Sequence, residues 1–393
     1  MKKIFIVTRA KDESDIIESF CRYNLAYCDG MLMNDSGSYD NTKEIIQKLM
    51  EEGLPIYWHN GSQLDRAHIA VEQYGADLVI PLDTDEFLYH TEGVNPRETL
   101  EVLSEDVEYQ ALWRTYVYEK EPDITLGFMP NNFTRYRNPE MENPKVFERH
   151  KKVIASKVLL KDKQATFAVG AHFLKYPAEH QGSVDIEIHS KLVFAHFPVR
   201  SRIHIMQKVI PNWIYKWNTI HRIQRDALDN LQLGVSFNII RDNGDITHEE
   251  LKQYSLEYAM CLDGNISDEI RIFSRDEIDK MKNGLGENLT IHGPMDASFC
   301  ADKLKLRYTD YQEDPKVFIR AVLSEIDKTV TFLSSESDER AMALREKEAQ
   351  KNELNDRIRA LNDRIREIYE SNTWKTGKKI NRIFRFFIPH KKK

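Results

Sequence analysis

Two carboxylates one residue apart, Asp83 and Asp85, follow directly on the apolar run Leu78-Val79-Ile80-Pro81-Leu82 and precede Glu86-Phe87. Acidic side chains at the end of a buried strand are costly unless a positive charge sits beside them. A divalent cation meets that need, because Mg2+ and Mn2+ take oxygen ligands and commonly bridge protein carboxylates to substrate phosphates. Asp83 and Asp85 are therefore candidate ligands of Mn2+ or Mg2+ in a site for a phosphorylated substrate. A solvated acidic turn would read the same in isolation, so the residues around it decide.

A second polar cluster runs from Asn34 through Asp35-Ser36-Gly37-Ser38-Tyr39 to Asp40, Asn41 and Thr42. Asp35 at a strand end can accept from a nucleobase N–H, Ser36 and Gly37 suit a tight turn, and Asp40 or Asn41 can cap the helix that follows. Farther on, His196 ends an apolar stretch (Leu192 to Phe194), with Arg200-Ser201 and Lys208 after it. A histidine so placed fits a hydrogen-bonded core residue as well as a ligand, and His172 in Gly170-Ala171-His172 carries the same ambiguity.

The elements that must position these residues alternate. Lys3–Val7, Met31–Met33, Pro55–His59 and Leu78–Leu82 read as short buried strands. Asp12–Tyr27, Asn41–Met50 and Gln63–Tyr74 between them carry apolar residues at helical spacing. Strand–helix alternation predicts a parallel sheet with helices on both faces, and open sheets of that kind bind ligands at the carboxyl ends of their strands. Thr8-Arg9, Asp35-Ser36, His59-Asn60 and Asp83-Thr84-Asp85 all follow strand ends and converge on one crevice. Tyr109–Tyr118 and Val184–Phe197 read as further strands around a loop-rich, proline-containing stretch that would hold a second substrate. From Ser201 to about Leu231 the pattern is helical and aromatic-rich, and 238–306 reads as mixed helix and loop.

Composition narrows the class. The chain has 393 residues, 41% hydrophobic and 30% charged, with a formal net charge of -7. That balance argues against nucleic-acid binding, which needs clustered cations. Residues 372–393 nevertheless carry eight Lys or Arg and no Asp or Glu, leaving -15 on the rest (-7 minus +8). This tail interleaves Trp374, Ile380, Phe384 and Phe387 with its cations, a composition suited to an anionic membrane surface. Residues 336–370 are highly charged. Leu354, Ile358, Leu361, Ile365 and Ile368 are spaced three and four apart, which reads as a short coiled-coil seam and predicts a homodimer, or else a solvated surface helix. Cys21, Cys28, Cys261 and Cys300 lack the spacing of a zinc site and read as reduced thiols in a cytoplasmic protein. The apolar run after Met-Lys-Lys is too short for a signal peptide, and no run is long enough to span a membrane.

The ordered set Arg9-Ala10-Lys11-Asp12-Glu13, Asp35-Ser36-x-Ser38-x-Asp40-x-Thr42, Asp83-x-Asp85-Glu86-Phe87 and His196-Phe197-x-x-Arg200-Ser201 resembles the family 2-type glycosyltransferases. It is nearest to the branch with an Asp-x-Asp-Glu-Phe motif and a downstream His-Phe-x-x-Arg-Ser segment. The resemblance covers residues 1 to about 210. It implies a GT-A fold: a nucleotide-binding parallel or mixed α/β sheet flanked by helices, followed here by a mostly helical C-terminal region. It implies that Arg9, Glu13, Asp35 and Asp83 hold the nucleoside. Asp85 and His196 would ligate the metal, and Arg200 or Lys208 would offset phosphate charge. Thr8, Arg66 and Thr84 complete the expected nucleotide-sugar set. The family usually has Asn-Glu after the first strand; here it is Asp12-Glu13, and Asp12 cannot donate as Asn does.

The expected organisation is a glycosyltransferase domain over 1–210, a helical or mixed accessory region over 211–335, a charged helix over 336–371 and the basic aromatic tail over 372–393. The expected activity is metal-dependent, inverting transfer of a sugar from a nucleotide-sugar, a UDP-sugar being favoured. The acceptor would be a glycan or a lipid-linked molecule, and the enzyme would work in the cytoplasm, peripheral to the inner face of the membrane. Glu148, Asp185 and Glu187 are the candidate bases. Two other readings fit part of the pattern: a haloacid-dehalogenase-like phosphatase, disfavoured because three strand–helix units precede the acidic motif, and a catalytically silent glycan-binding scaffold.

Overall fold

The computed structural model describes residues 1–123, 128–137, 151–209, 246–259 and 289–291, with scattered positions between 346 and 363. The chain divides into two compact units, Met1–Ile326 and Asp327–Lys393. In the second unit the described residues are helical and exposed, and Glu353 pairs with Arg357 at 2.9 Å, one turn on. The apolar seam residues expected there, the tail, and the boundaries expected near 210, 335 and 371 all lie outside the described residues.

The first unit runs β1 (Ile4–Val7), α1 (Ile17–Asn24), β2 (Gly30–Met33), α2 (Thr42–Glu51), β3 (Ile56–Trp58), α3 (Gln63–Glu72), β4 (Leu78–Pro81), β5 (Glu86–His90), α4 (Pro96–Val102), β6 (Val107–Thr115) and β7 (Arg135–Arg137). It continues with β8 (Lys151–Ser156), β9 (Thr166–Phe167), β10 (Leu174–Lys175), β11 (Asp185–His196), α5 (202–209), α6 (His248–Ala259) and β12 (Leu289–Ile291). Eight strands form one sheet in the order β3-β2-β1-β4-β8-β6-β11-β5. The first four pair in parallel, as alternation predicts. β8 then enters antiparallel to both β4 and β6, and β5 antiparallel to β11, so the sheet is mixed.

Alternation along the strands places the helices. Ile4, Ile6, Met31, Met33, Leu78 and Ile80 share one core with Ile17 and Phe20 of α1 and Ile45, Ile46 and Leu49 of α2. Phe5, Val7, Leu32 and Val79, on the opposite pleat, share another with Ala67 and Ala70 of α3. Fully burying one such aliphatic side chain is worth roughly 1.5–3 kcal/mol, so both faces hold the sheet. Gly30 opens β2 because a Cβ there would lie 2.5 Å from the Phe5 ring. Tyr118, Val199, Ile205 and Val209 form a third cluster with Ile246, Leu251 and Tyr254, joining α5 to α6.

One expected element differs. The helix expected from Asp12 begins only at Ile17, because Asp12 is left-handed (φ 54°) and residues after it form turns. Cys21 and Cys28 are free and buried. No helix among the described residues is long and apolar enough to cross a membrane.

Candidate active site

Strand direction gathers the site. β1, β2, β3, β4, β6 and β11 all run one way, and β8 and β5 the other. The carboxyl ends of the six and the amino ends of the two therefore share one edge. That edge carries Arg9, Asp35, the turn Asp83 to Glu86, Thr115, Lys152 and His196. A cleft of about 530 Å³ opens there, lined by Arg9, Asp12, Glu13, Asp83, Asp85, His196 and Lys208 among others. Trp113, Gln207 and Tyr258 line it too, and no sequence motif marks them.

Asp85 is the focus of charge. It is 5% exposed, with one carboxylate oxygen 3.7 Å from His196 Nε2, 3.7 Å from Lys208 Nζ and 3.9 Å from Arg200 Nη1. Burial pushes its acid up, but His196, Lys208 and Arg200 outweigh burial and hold it well below the usual carboxylate range. His196 is held by the Thr115 hydroxyl, 3.4 Å from its Nδ1, and by Trp113, whose ring centroid is 4.6 Å away. The Nε2 edge is thereby aimed at Asp85. Two ligands in cis on one small divalent ion sit roughly 3 Å apart, so Asp85 and His196 need only a small closure to share one. Among the described residues no three of His, Cys, Asp and Glu converge tightly enough to hold a metal alone.

Behind this pair lies a buried ionic lattice. Arg200 is 0% exposed, donates from Nε and Nη2 to Asp15 at 2.7 and 2.9 Å, and pairs through Nη2 with Glu13. Glu13 also faces Lys208 at 3.4 Å and His204 at 3.9 Å, and its backbone N–H donates to Thr42 Oγ1 at 2.8 Å. Arg200 and Lys208 thus meet Glu13, Asp15 and Asp85. Lys208 reaches the cleft and can meet phosphate; Arg200 is spent on carboxylates and braces the lattice. Both ring nitrogens of buried His204 lack a hydrogen-bond partner among the described residues, and burial, then Arg200, hold its pKa well below the usual histidine value.

Asp83, on the same cleft wall, has different partners. Its side chain is 54% exposed and accepts from Lys152 Nζ at 2.8 Å, while its backbone N–H donates to Glu86 Oε2 at 2.9 Å. Thr84 between them is buried.

The first two loops lock together through Asp12 and Asp35. Asp35 Oδ2 accepts from the Gly37 and Ser38 N–H groups at 2.9 Å each, and Oδ1 from the Ser38 hydroxyl. The carboxylate expected to read a base is thus engaged by its own turn, whose Gly37 is left-handed (φ 87°). Asp12 receives the Tyr39 N–H at 2.7 Å on Oδ1, and its own N–H donates to Ser38 Oγ at 2.8 Å. The missing donor of the Asn-to-Asp departure is therefore not used by these contacts. Burial, and then Asp40, push the Asp12 acid up to about 7. A raised folded-state pKa gives stability that is full below the unfolded value near 3.8 and is lost as pH climbs through about 7. Asp12→Asn keeps the Tyr39 acceptor and removes the charge. It is expected to raise stability at pH 8 by on the order of 1–3 kcal/mol and to change little at pH 4.5. Urea unfolding at the two pH values reads the difference.

Several expected residues are not brought to the cleft. Asp185 and Glu187 lie on the exposed amino-terminal half of β11, opposite Val107 and Tyr109 of β6, whereas His196 lies opposite Thr115; even with the bulge after His189 they are roughly 20–26 Å from it along the strand. They sit at the opposite edge of the sheet, away from this cleft. Glu148 is outside the described residues. Arg66 is 1% exposed and donates to Asn34 Oδ1 at 2.7 Å and the Gly61 carbonyl at 2.8 Å, tying two strand-end loops together. Thr8 is fully buried, and His172 bonds the Lys151 carbonyl at 2.9 Å.

No protein-family model matches the chain, nor does any curated protein. Among solved structures, glucosyl-3-phosphoglycerate synthase from Mycobacterium tuberculosis with Mn2+, UDP and glucosyl-3-phosphoglycerate is 19% identical, covering 29% of this chain and 44% of that one, at a TM-score of 0.21. The same enzyme with Mg2+ and UDP is 18% identical over 50% of this chain and 71% of that one, at 0.30. The mannosyltransferase PcManGT from Pyrobaculum calidifontis with GDP-Man and Mn2+ is 12% identical over 83% and 87%, at 0.31. The match thus spans less than half the length of the first of these chains. These similarities are slight, and the functional reading rests on the geometry of the cleft.

Proposed function

We propose that the chain is a metal-dependent glycosyltransferase of GT-A type, which moves a sugar from a nucleotide-sugar to a hydroxyl of a glycan or lipid-linked acceptor. The observation that carries this reading is the pair Asp85–His196, 3.7 Å apart, with the Lys208 ammonium 3.7 Å from the same carboxylate oxygen, in an open cleft at the carboxyl edge of the sheet. Asp85 and His196 would hold Mn2+ or Mg2+. Bound there, the ion would stabilise charge on the departing nucleoside diphosphate. Lys208 offers a second positive contact to the same phosphates. Arg9 on the cleft wall and the exposed part of Asp83 are placed to meet the nucleoside. UDP is the favoured nucleotide, inversion the favoured outcome, and the basic aromatic tail the favoured anchor to an anionic membrane surface. A general base would have to come from the cleft wall rather than from β11's far end.

Thermal melting with UDP-, dTDP- and GDP-sugars, each with Mn2+ or EDTA, tests the reading. A ligand at 100 times its Kd stabilises by about 2.7 kcal/mol, a shift of several degrees. One nucleotide class is expected to give that shift with Mn2+ and much less with EDTA; silence across the panel would overturn the proposal.

A further inference from the structure

Three carboxylates crowd into the four residues from Asp83 to Glu86, yet they do not share surroundings. Asp85 turns to His196 and Lys208 on the cleft side. Asp83 and Glu86 turn to Lys152, whose Nζ lies 2.8 Å from Asp83 Oδ2 and 3.3 Å from Glu86 Oε2. Lys152 is the second residue of β8, which enters the sheet antiparallel between β4 and β6. Its ammonium therefore rises under the acidic turn, 1% exposed, with the Trp113 ring 5.7 Å away.

An ammonium buried in a sheet carries a heavy desolvation cost, and an apolar side chain would fill the same pleat without it. The cation is explained only by what it holds. Glu86 Oε2 also accepts the Asp83 backbone N–H at 2.9 Å, so Asp83 is gripped by side chain and main chain through one ion pair. Glu86 is fully buried, and its Oε1 has no hydrogen-bond partner among the described residues, so its task is to seat Lys152 and the turn rather than to face a ligand.

We propose that Lys152 is a positioning residue that divides the acidic turn in two. It draws Asp83 away from the metal position, so that among the described residues Asp85 and His196 offer the protein ligands there, and it leaves the exposed edge of Asp83 to meet nucleoside hydroxyls. The inference rests on the metal and nucleotide reading above. A site with only two protein ligands grips a free ion weakly and binds it well once diphosphate oxygens complete the shell, which makes metal retention depend on the nucleotide.

The test compares wild type, Lys152→Met, Lys152→Arg and Asp83→Asn in two titrations: Mn2+ alone, and UDP in EDTA. Without Lys152 a nearby positive charge is gone and Asp83 is free to join the ion, so Lys152→Met is expected to bind Mn2+ alone roughly fivefold tighter. The same variant is expected to bind UDP in EDTA roughly tenfold more weakly, because Asp83 is no longer held toward the nucleoside. Lys152→Arg should restore both. Asp83→Asn should bind Mn2+ alone about as wild type does and UDP in EDTA more weakly. If Lys152→Met weakens both titrations or moves neither, the inference is overturned. Should that variant fail to fold, weaker binding of Mn2+ alone by Asp83→Asn overturns it instead. A wild type that binds neither Mn2+ nor UDP would bring down the functional reading, which is a different result.

Discussion

Asp85→Asn is expected to lower nucleotide-sugar turnover by about a thousandfold or more while leaving the protein folded. The size follows from what the carboxylate does. Among the described residues it is the one acidic group in contact with both His196 and Lys208, so its loss removes the proposed metal ligand and the charge that orients both partners. Removing a single transition-state electrostatic contact typically costs a factor of about 10²–10³, and here the ion itself would be released. Asn keeps the shape and one oxygen, and the lattice behind it still has Glu13 and Asp15 for Arg200. Turnover measured at saturating Mn2+ alongside a melting curve separates chemistry from folding. Equal loss in Asp83→Asn and Asp85→Asn would contradict the unequal surroundings of the two carboxylates.

Arg200→Met is expected to act on stability first, with a loss of roughly 3–5 kcal/mol, because breaking a buried ion pair from one side leaves uncompensated charge. Glu13 and Asp15 would both lose their principal cation, and Asp85 one of its two permanent ones. The guanidinium also donates to the Phe197 carbonyl at 3.0 Å, just after His196, so that histidine should loosen with it. A lysine in its place cannot bridge two carboxylates and a carbonyl at once, so Arg200→Lys should recover only part of the loss. Urea unfolding at pH 7 reads both variants; a change under about 1 kcal/mol in Arg200→Met would show that the lattice is not structural.

The legible part of this chain is its local part. The first seven elements, β1 to β4 with three helices between, follow from short apolar runs and helical spacing, and the structure shifts their ends by only a few residues except at α1. Asp83 and Asp85 can be read because an acidic pair at the tip of an apolar strand is a contiguous pattern. The rest depends on strand direction, which no local pattern reports. β8 lies within the stretch read as loop-rich, so nothing marks Lys152 as the cation under the acidic turn. β5 hides inside the Asp-x-Asp-Glu-Phe motif, where Glu86 looks like part of a loop. Asp185 and Glu187 stand out by charge near His196 in sequence, but on a strand of twelve residues that proximity means opposite edges of the sheet. His196 itself meets Asp85 only because β11 runs parallel to β6 and, through β8, to β4.

Pulsed EPR of Mn2+ bound in the presence of UDP tests the central claim most directly, since it reads which nuclei touch the ion. Nitrogen coupling from one imidazole together with phosphorus coupling is expected, the nitrogen signal vanishing in His196→Ala and tight binding vanishing in Asp85→Asn. A manganese ion that binds with UDP but shows no imidazole nitrogen, or one unaffected by either substitution, would contradict the site described above.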